Sequence, residues 1–449
     1  MRKYLLAASV ICGLFLSCTK DKVHVASPLD QSLQQALVRA APTSDPSHFI
    51  LPESDDFLAI PQDEKYNPLT KEKVNLGKLL FYETGIALSP NHIAGQKTYS
   101  CASCHVPSAG FRPGSPQGIA DGGIGFGING EARGKLTTYA EEELDVQGVR
   151  PLSVLNVAYV ENTTWNGRFG SSGVNIGTED RWALDSTLHV NEEGFAALES
   201  QNIEGLDVHR MEITSEVLDD YGYRPYFDAA FAGEAATDRY SKKNAAFAIS
   251  AYLRTLLSNE APFQFYLKGE LNALSKQEKR GALVFSTDAK CFHCHQDKNL
   301  GANDFYALGV KDLYQTGVAF NTSADDRRNL GRGEYSGQEI DKYKFKIPQL
   351  YNLADAPFYF HGSSKETLAE VVDYFNEAIP ENENVPTEQL ARQFQPLHLT
   401  PQQIIDLTVF LETGLRDPNL ERYVPDRILS GNCFPNIDAF SKTDLGCGE

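Results

Sequence analysis

The chain has 449 residues, and its 60 acidic against 41 basic side chains leave a formal charge of −19. A surface this acidic excludes nucleic acid as a partner, because phosphates need a positive footprint. The length suffices for two domains, each with a core of its own.

In chain order, Arg2 and Lys3 precede an apolar stretch, Tyr4 to Ser17, that is too short for a comfortable membrane span and reads as a signal peptide over residues 1–17. Phe15-Leu16-Ser17-Cys18 is similar to a bacterial lipobox, so Cys18 is expected to carry lipid and to tie the chain to a membrane. An ordinary signal peptide cut nearby is the alternative. Either form exports the mature chain, to the periplasm or the cell surface. Residues 18–54 are polar and weakly periodic and read as a lipid-anchored tether, ahead of a first unit over 55–260, a second over 261–420 and a tail over 421–449.

Leu76-Gly77-Lys78-Leu79-Leu80-Phe81 has helical apolar spacing and leads to Cys101-Ala102-Ser103-Cys104-His105. C-x-x-C-H is the attachment signature of a c-type haem: two thiols bond the porphyrin and the histidine ligates its iron. A zinc site would need further ligands close by, and the next histidine is His189. The glycine-rich run Gly118–Gly127 lacks a preceding strand and reads as a loop over the first haem, and Glu141–Glu143 reads as a solvated insertion. Lys243 to Leu257 predicts a helix. Arg280-Gly281-Ala282-Leu283-Val284-Phe285, capped by Ser275 and Glu278, repeats the first lead-in before Cys291-Phe292-His293-Cys294-His295. There His293 is a spare potential ligand. Thr400-Pro401 opens a last helix with an apolar face at Ile404, Leu407, Phe410 and Leu411. Cys433 and Cys447 remain for a disulfide pinning the tail, as an oxidising compartment allows. Long β-alternation is scarce. The expected fold is mostly α: two cytochrome c-like haem domains with long loops, holding two covalently bound haem c groups.

Over residues 55–415 the chain resembles the bacterial dihaem cytochrome c peroxidase and MauG family. The resemblance rests on both haem motifs, on Val154–Tyr159 with Trp165-Asn166-Gly167-Arg168, and on Phe345–Asn352 followed by Phe358–Gly362 and Thr367–Val372. It implies that the first haem, held by Cys101, Cys104 and His105, reduces hydrogen peroxide. The second, held by Cys291, Cys294 and His295, would receive electrons from a small cytochrome or other redox protein. It places Trp165 between the haems and His361 near the edge of the second, where electrons are taken up. Leu198-Glu199-Ser200-Gln201 matches the family's distal pattern and makes Gln201 a distal hydrogen-bonder.

The departures from the family matter as much. No histidine lies between 106 and 188, so the removable distal ligand of many such peroxidases is missing. The position of the catalytic glutamate is Met211, which leaves Glu212 or His209 as proton handler, or Met211 itself as a thioether ligand to iron. Phe375 replaces the second haem's methionine or tyrosine ligand, with Tyr374 adjacent. Arg150 stands at the family's calcium-binding asparagine, which counts against calcium. Three functions follow: a peroxidase, a MauG-like oxidase of a protein or organic substrate, and a non-catalytic electron carrier.

Overall fold

Each haem motif is preceded by a helix whose start is fixed by local chemistry. The Thr70 hydroxyl accepts the Lys73 N–H, and Ser275 and Glu278 form a reciprocal capping box. The computed structural model describes residues 26–447; the signal peptide over 1–17 and the lipid-anchor residue Cys18 lie outside the described residues. The helices that frame the site are α1 (Pro28–Ala40), α2 (Lys71–Tyr82), α3 (Ala197–Val208), α4 (Lys242–Arg254), α5 (Lys276–Ser286), α6 (Leu368–Glu377) and α7 (Pro401–Val409). The last runs on into a wider turn, Phe410–Gly414. Among the described residues strands are confined to two short antiparallel ribbons. In one, β1 (Gly123–Ile124) pairs with β2 (Gly134–Lys135); in the other, β3 (Phe305–Tyr306) pairs with β4 (Phe345–Lys346), Phe305 opposite Lys346. The mostly α expectation is met. No helix among the described residues is long and apolar enough to cross a membrane.

The two units repeat one helix crossing. α2 packs on α4 and α5 on α7, each through a glycine in the lead-in helix. A Cβ on Gly77 would lie 1.8 Å from the Ala248 carbonyl oxygen, and one on Gly281 would lie 2.0 Å from that of Asp406. Backbones this close admit no side chain. Around the first crossing Leu76, Leu80, Phe81, Ile249 and Leu253 form one core; around the second Ala282, Phe285, Leu407 and Phe410 form another.

The chain termini exchange places over these cores. The segment read as a tether contains α1, opened by a Ser27–Asp30 capping box, and its Leu33 and Leu37 are buried in the second core with Phe49 and Leu51. Lys279 on α5 pairs with Asp30 at 2.7 Å. The C-terminal tail instead returns to the first core through Leu420, Tyr423 and Ile428, and Ser100 donates to the Pro435 carbonyl at 3.0 Å. The units therefore extend beyond the 55–260 and 261–420 boundaries expected from sequence. Cys433 and Cys447 are disulfide-bonded, with Cα atoms 6.0 Å apart across 14 residues. Closing a loop of that length restrains the unfolded chain by about 3 kcal/mol. Cys433→Ser is expected to lower the denaturation midpoint accordingly, read by denaturant titration beside the reduced wild type.

Candidate functional site

A cavity of about 1000 Å³ is lined by all four motif cysteines and by His105 and His295. Each motif begins with a short turn, Cys101–Ser103 and Cys291–His293. The turn brings the histidine N–H back to the first cysteine's carbonyl, at 3.1 Å for His105 and 2.9 Å for His295. The His105 Nδ1 meets the Phe111 carbonyl at 3.2 Å and the His295 Nδ1 meets that of Leu300 at 2.8 Å. That bond fixes the tautomer and leaves each Nε2 as a lone pair for a metal. Burial pushes both imidazoles down to about 4, so they stay neutral at ordinary pH. It pushes the Cys101, Cys104 and Cys291 thiols up to about 12. Thiols held protonated are poor nucleophiles for thiol–disulfide exchange. Among the described residues no group of three or more His, Cys, Asp or Glu side chains is placed to hold a metal ion.

These residues fit a covalently held haem at each motif. The sulfurs, the oriented imidazole and the void share one space. The first motif adds two details. A Cβ on Gly205, in the cavity wall, would meet nothing within 4 Å. One on Gly118 would lie 2.7 Å from Cys104 Sγ, so the glycine-rich loop closes against the first motif.

The wall over the first motif comes from α3, which turns Leu198, Gln201, Asn202 and Gly205 to the cavity at helical spacing. Gln201 is thus one of the residues that line the cavity. His209, at the end of α3, also lines the cavity, with its side chain 36% exposed. Its Nδ1 is 2.7 Å from Asp145 Oδ2. Burial alone would lower the imidazole's pKa, but the adjoining carboxylate outweighs it and holds the ring above the ordinary histidine value. Asp145 is the residue that the sequence did not disclose; it lies 64 positions earlier, in a loop. Glu204, also unflagged by the sequence, lines the same wall, and burial raises its carboxyl.

Two sequence expectations place a side chain elsewhere than the structure does. Glu212 is absent from the cavity lining and faces Lys242, 3.4 Å away. Its backbone N–H goes to the Ile86 carbonyl at 2.8 Å, which turns the residue off the wall. Tyr374 also points away from the cavity, its hydroxyl bonded to the Leu308 carbonyl at 2.7 Å. The phase of α6 decides this. Leu368, Val371, Val372 and Phe375 face the cavity, and position 374 is a third of a turn away. Met211 does line the cavity, but it is only 2% exposed and packed in the first core, its N–H on the Leu206 carbonyl at 2.8 Å.

Trp165 and His361 line the same cavity. The Trp165 Nε1 donates to the Arg150 carbonyl at 2.6 Å, and its ring lies 6.1 Å from His361 and 6.3 Å from Phe345. His361 stacks on Phe345 at 3.5 Å and its Nε2 meets Asp312 Oδ1 at 3.1 Å. At the position of the expected calcium ligand, the buried Arg150 guanidinium donates to the Pro113 and Ser115 carbonyls, each at 2.5 Å. A fixed cation already holds these oxygens.

Residues 71–272 match the family described as di-haem cytochrome c peroxidase. The chain is 27% identical over 413 residues to the methylamine utilization protein MauG of Methylorubrum extorquens, covering 92% of this chain and 94% of that protein. It is 25% identical over 348 residues to the cytochrome c551 peroxidase of Pseudomonas aeruginosa, covering 77% and 79%. Among solved structures, a MauG-like protein associated with microbial copper homeostasis superposes with a TM-score of 0.58 at 24% identity, over 82% of this chain and 95% of that one. That likeness concerns the fold.

Proposed function

We propose that the chain acts as a member of the di-haem cytochrome c peroxidase and MauG family, carries two c-type haems and reduces hydrogen peroxide to water at the first motif. The observation that supports this reading is the His209–Asp145 pair in the wall of the cavity that His105 also lines. A haem held by Cys101, Cys104 and His105 would supply the redox chemistry that cleaves the O–O bond.

The protein's part is proton transfer and orientation. With Nδ1 committed to Asp145, His209 uses Nε2 to take the proton from the attacking oxygen and deliver it to the departing one, the Asp145 carboxylate stabilising the imidazolium between these events. Gln201 orients the peroxide by hydrogen bond. Two electrons and two protons convert one peroxide to two waters. The electrons come from a small cytochrome or comparable donor, are taken up near His361 and the second motif, and pass Trp165. The export signal and the Cys18 anchor belong to the same proposal, which puts the reaction outside the cytoplasm.

The test is a pH profile. His209 must be neutral to accept the proton, so kcat/KM for peroxide rises with pH through its raised pKa. Asp145→Asn removes the carboxylate that raises it, and the acid limb is expected to move to lower pH. An unmoved limb would assign the proton to another group, Glu204 first.

Two observations favour a MauG-like oxidase instead. Phe375 faces the cavity where a ligating side chain would tune an electron-accepting haem, and the MauG relative spans nearly the whole chain. In that reading the same site takes electrons from a protein or organic substrate.

A further inference from the structure

Two heptapeptides in the cavity wall are structurally equivalent: Arg150-Pro151-Leu152-Ser153-Val154-Leu155-Asn156 and Lys346-Ile347-Pro348-Gln349-Leu350-Tyr351-Asn352. Each ends in an asparagine in the left-handed region, at φ 56° and 54°, that starts a short helical turn. The Asn156 N–H meets the Leu256 carbonyl at 2.7 Å and its Oδ1 accepts from Ser258 at 3.0 Å. The Asn352 N–H meets the Leu415 carbonyl at 3.1 Å and its Oδ1 accepts from Asp417 at 3.3 Å. The third residue of each segment turns its backbone to the unit's own motif histidine, Leu152 to His105 and Pro348 to His295.

The first residue of each is a buried cation left incomplete. Arg150 is 2% exposed and Lys346 is 3% exposed, and both line the cavity. Arg150 Nε and Lys346 Nζ have no hydrogen-bond partner. The Lys346 Nζ rests 4.4 Å from the Phe305 ring centroid, on a ring that Arg332 also approaches at 5.0 Å. Neither side chain has a carboxylate at ion-pair distance; Asp297, Glu161 and Asp304 act on Lys346 only from farther off, and burial lowers its ammonium to about 7. The Arg150 terminal nitrogens are held by the Pro113 and Ser115 carbonyls, so Nε is what it has left to donate, as Nζ is for Lys346; a buried donor left open at the same place of two repeats argues for an acceptor in each unit. The backbones of the two residues both hold Trp165, whose carbonyl accepts from the Lys346 N–H at 2.9 Å and whose Nε1 donates to the Arg150 carbonyl.

We propose that Arg150 and Lys346 are equivalent carboxylate anchors, Arg150 for the propionates of the haem held by Cys101–His105 and Lys346 for those of the haem held by Cys291–His295. The inference rests on the two-haem reading and goes beyond it, because it gives each haem its own charge partner. A nearby cation favours the reduced, more negative form of a haem. Each anchor therefore raises the potential of its own haem.

The experiment is spectroelectrochemical titration of the loaded protein, after counting haems per chain by alkaline pyridine absorbance. Lys346→Met is expected to lower the midpoint potential of one haem and leave the other in place, Lys346→Arg to restore it, and Arg150→Met to lower the other haem instead. Two unchanged potentials in Lys346→Met, or both haems shifting together in each variant, would overturn the anchors. Fewer than two haems per wild-type chain would overturn the two-haem reading, and the pairing with it.

Discussion

His209→Ala lowers kcat/KM for hydrogen peroxide by about 10²- to 10⁴-fold, the range that a positioned acid–base group contributes, while both haems remain attached. The change is local. The backbone carbonyl of His209 still accepts from the Tyr99 hydroxyl at 2.8 Å, and Asp145 keeps Arg210 within 3.6 Å. His209→Gln preserves a hydrogen-bonding side chain without a base and is expected to fall nearly as far. Glu212→Gln is the contrasting case: its carboxylate pairs with Lys242 away from the cavity, so the rate should change by less than about twofold, in line with an exposed ion pair of small worth. Stopped-flow peroxide consumption separates the three variants. A severe loss in Glu212→Gln with little loss in His209→Ala would reverse the assignment.

The largest stability effect is expected from Arg254→Ala. Glu199 is 0% exposed, and its carboxylate is held by Arg254 through Nε at 3.2 Å and NH2 at 2.5 Å, with Asn67 Nδ2 at 3.0 Å. Removing the guanidinium strands a buried negative charge, at a cost of about 3–5 kcal/mol. The pair joins α3 to α4, two residues before Gln201, so the loss also loosens the wall that carries Gln201 and His209. The Glu199→Gln, Arg254→Met double variant leaves no unpaired charge and should recover much of the loss. Denaturant titration of Glu199→Gln, Arg254→Met and their double variant closes the cycle that measures the coupling.

How much of this was legible in the sequence depended on how far apart the chemistry lies along the chain. A C-x-x-C-H motif needs five contiguous residues, so both motifs, and the histidine expected to ligate iron in each, could be named without a structure. The two lead-in helices carried their caps and apolar spacing locally as well. α1 escaped because its polar positions dominate and the core that buries Leu33 and Leu37 lies more than two hundred residues later. Asp145 escaped because only folding brings an isolated loop carboxylate to His209. Tyr374 and Phe375 differ by one position, and the phase of α6, fixed by Leu368 and Val372 in the second core, chooses Phe375 for the cavity. The equivalence of Arg150 and Lys346 was hidden for a related reason: only the asparagine matches between their heptapeptides, and the repeat appears in the backbone.

The decisive measurement is the ratio of donor oxidised to peroxide consumed by the dihaem-loaded protein, with a reduced small cytochrome as donor. Peroxidase chemistry requires two electron equivalents per peroxide, with turnover that collapses in His209→Ala. Peroxide consumed with the donor left reduced, its oxidising equivalents appearing in a protein or organic substrate, would contradict the peroxidase and leave the oxidase.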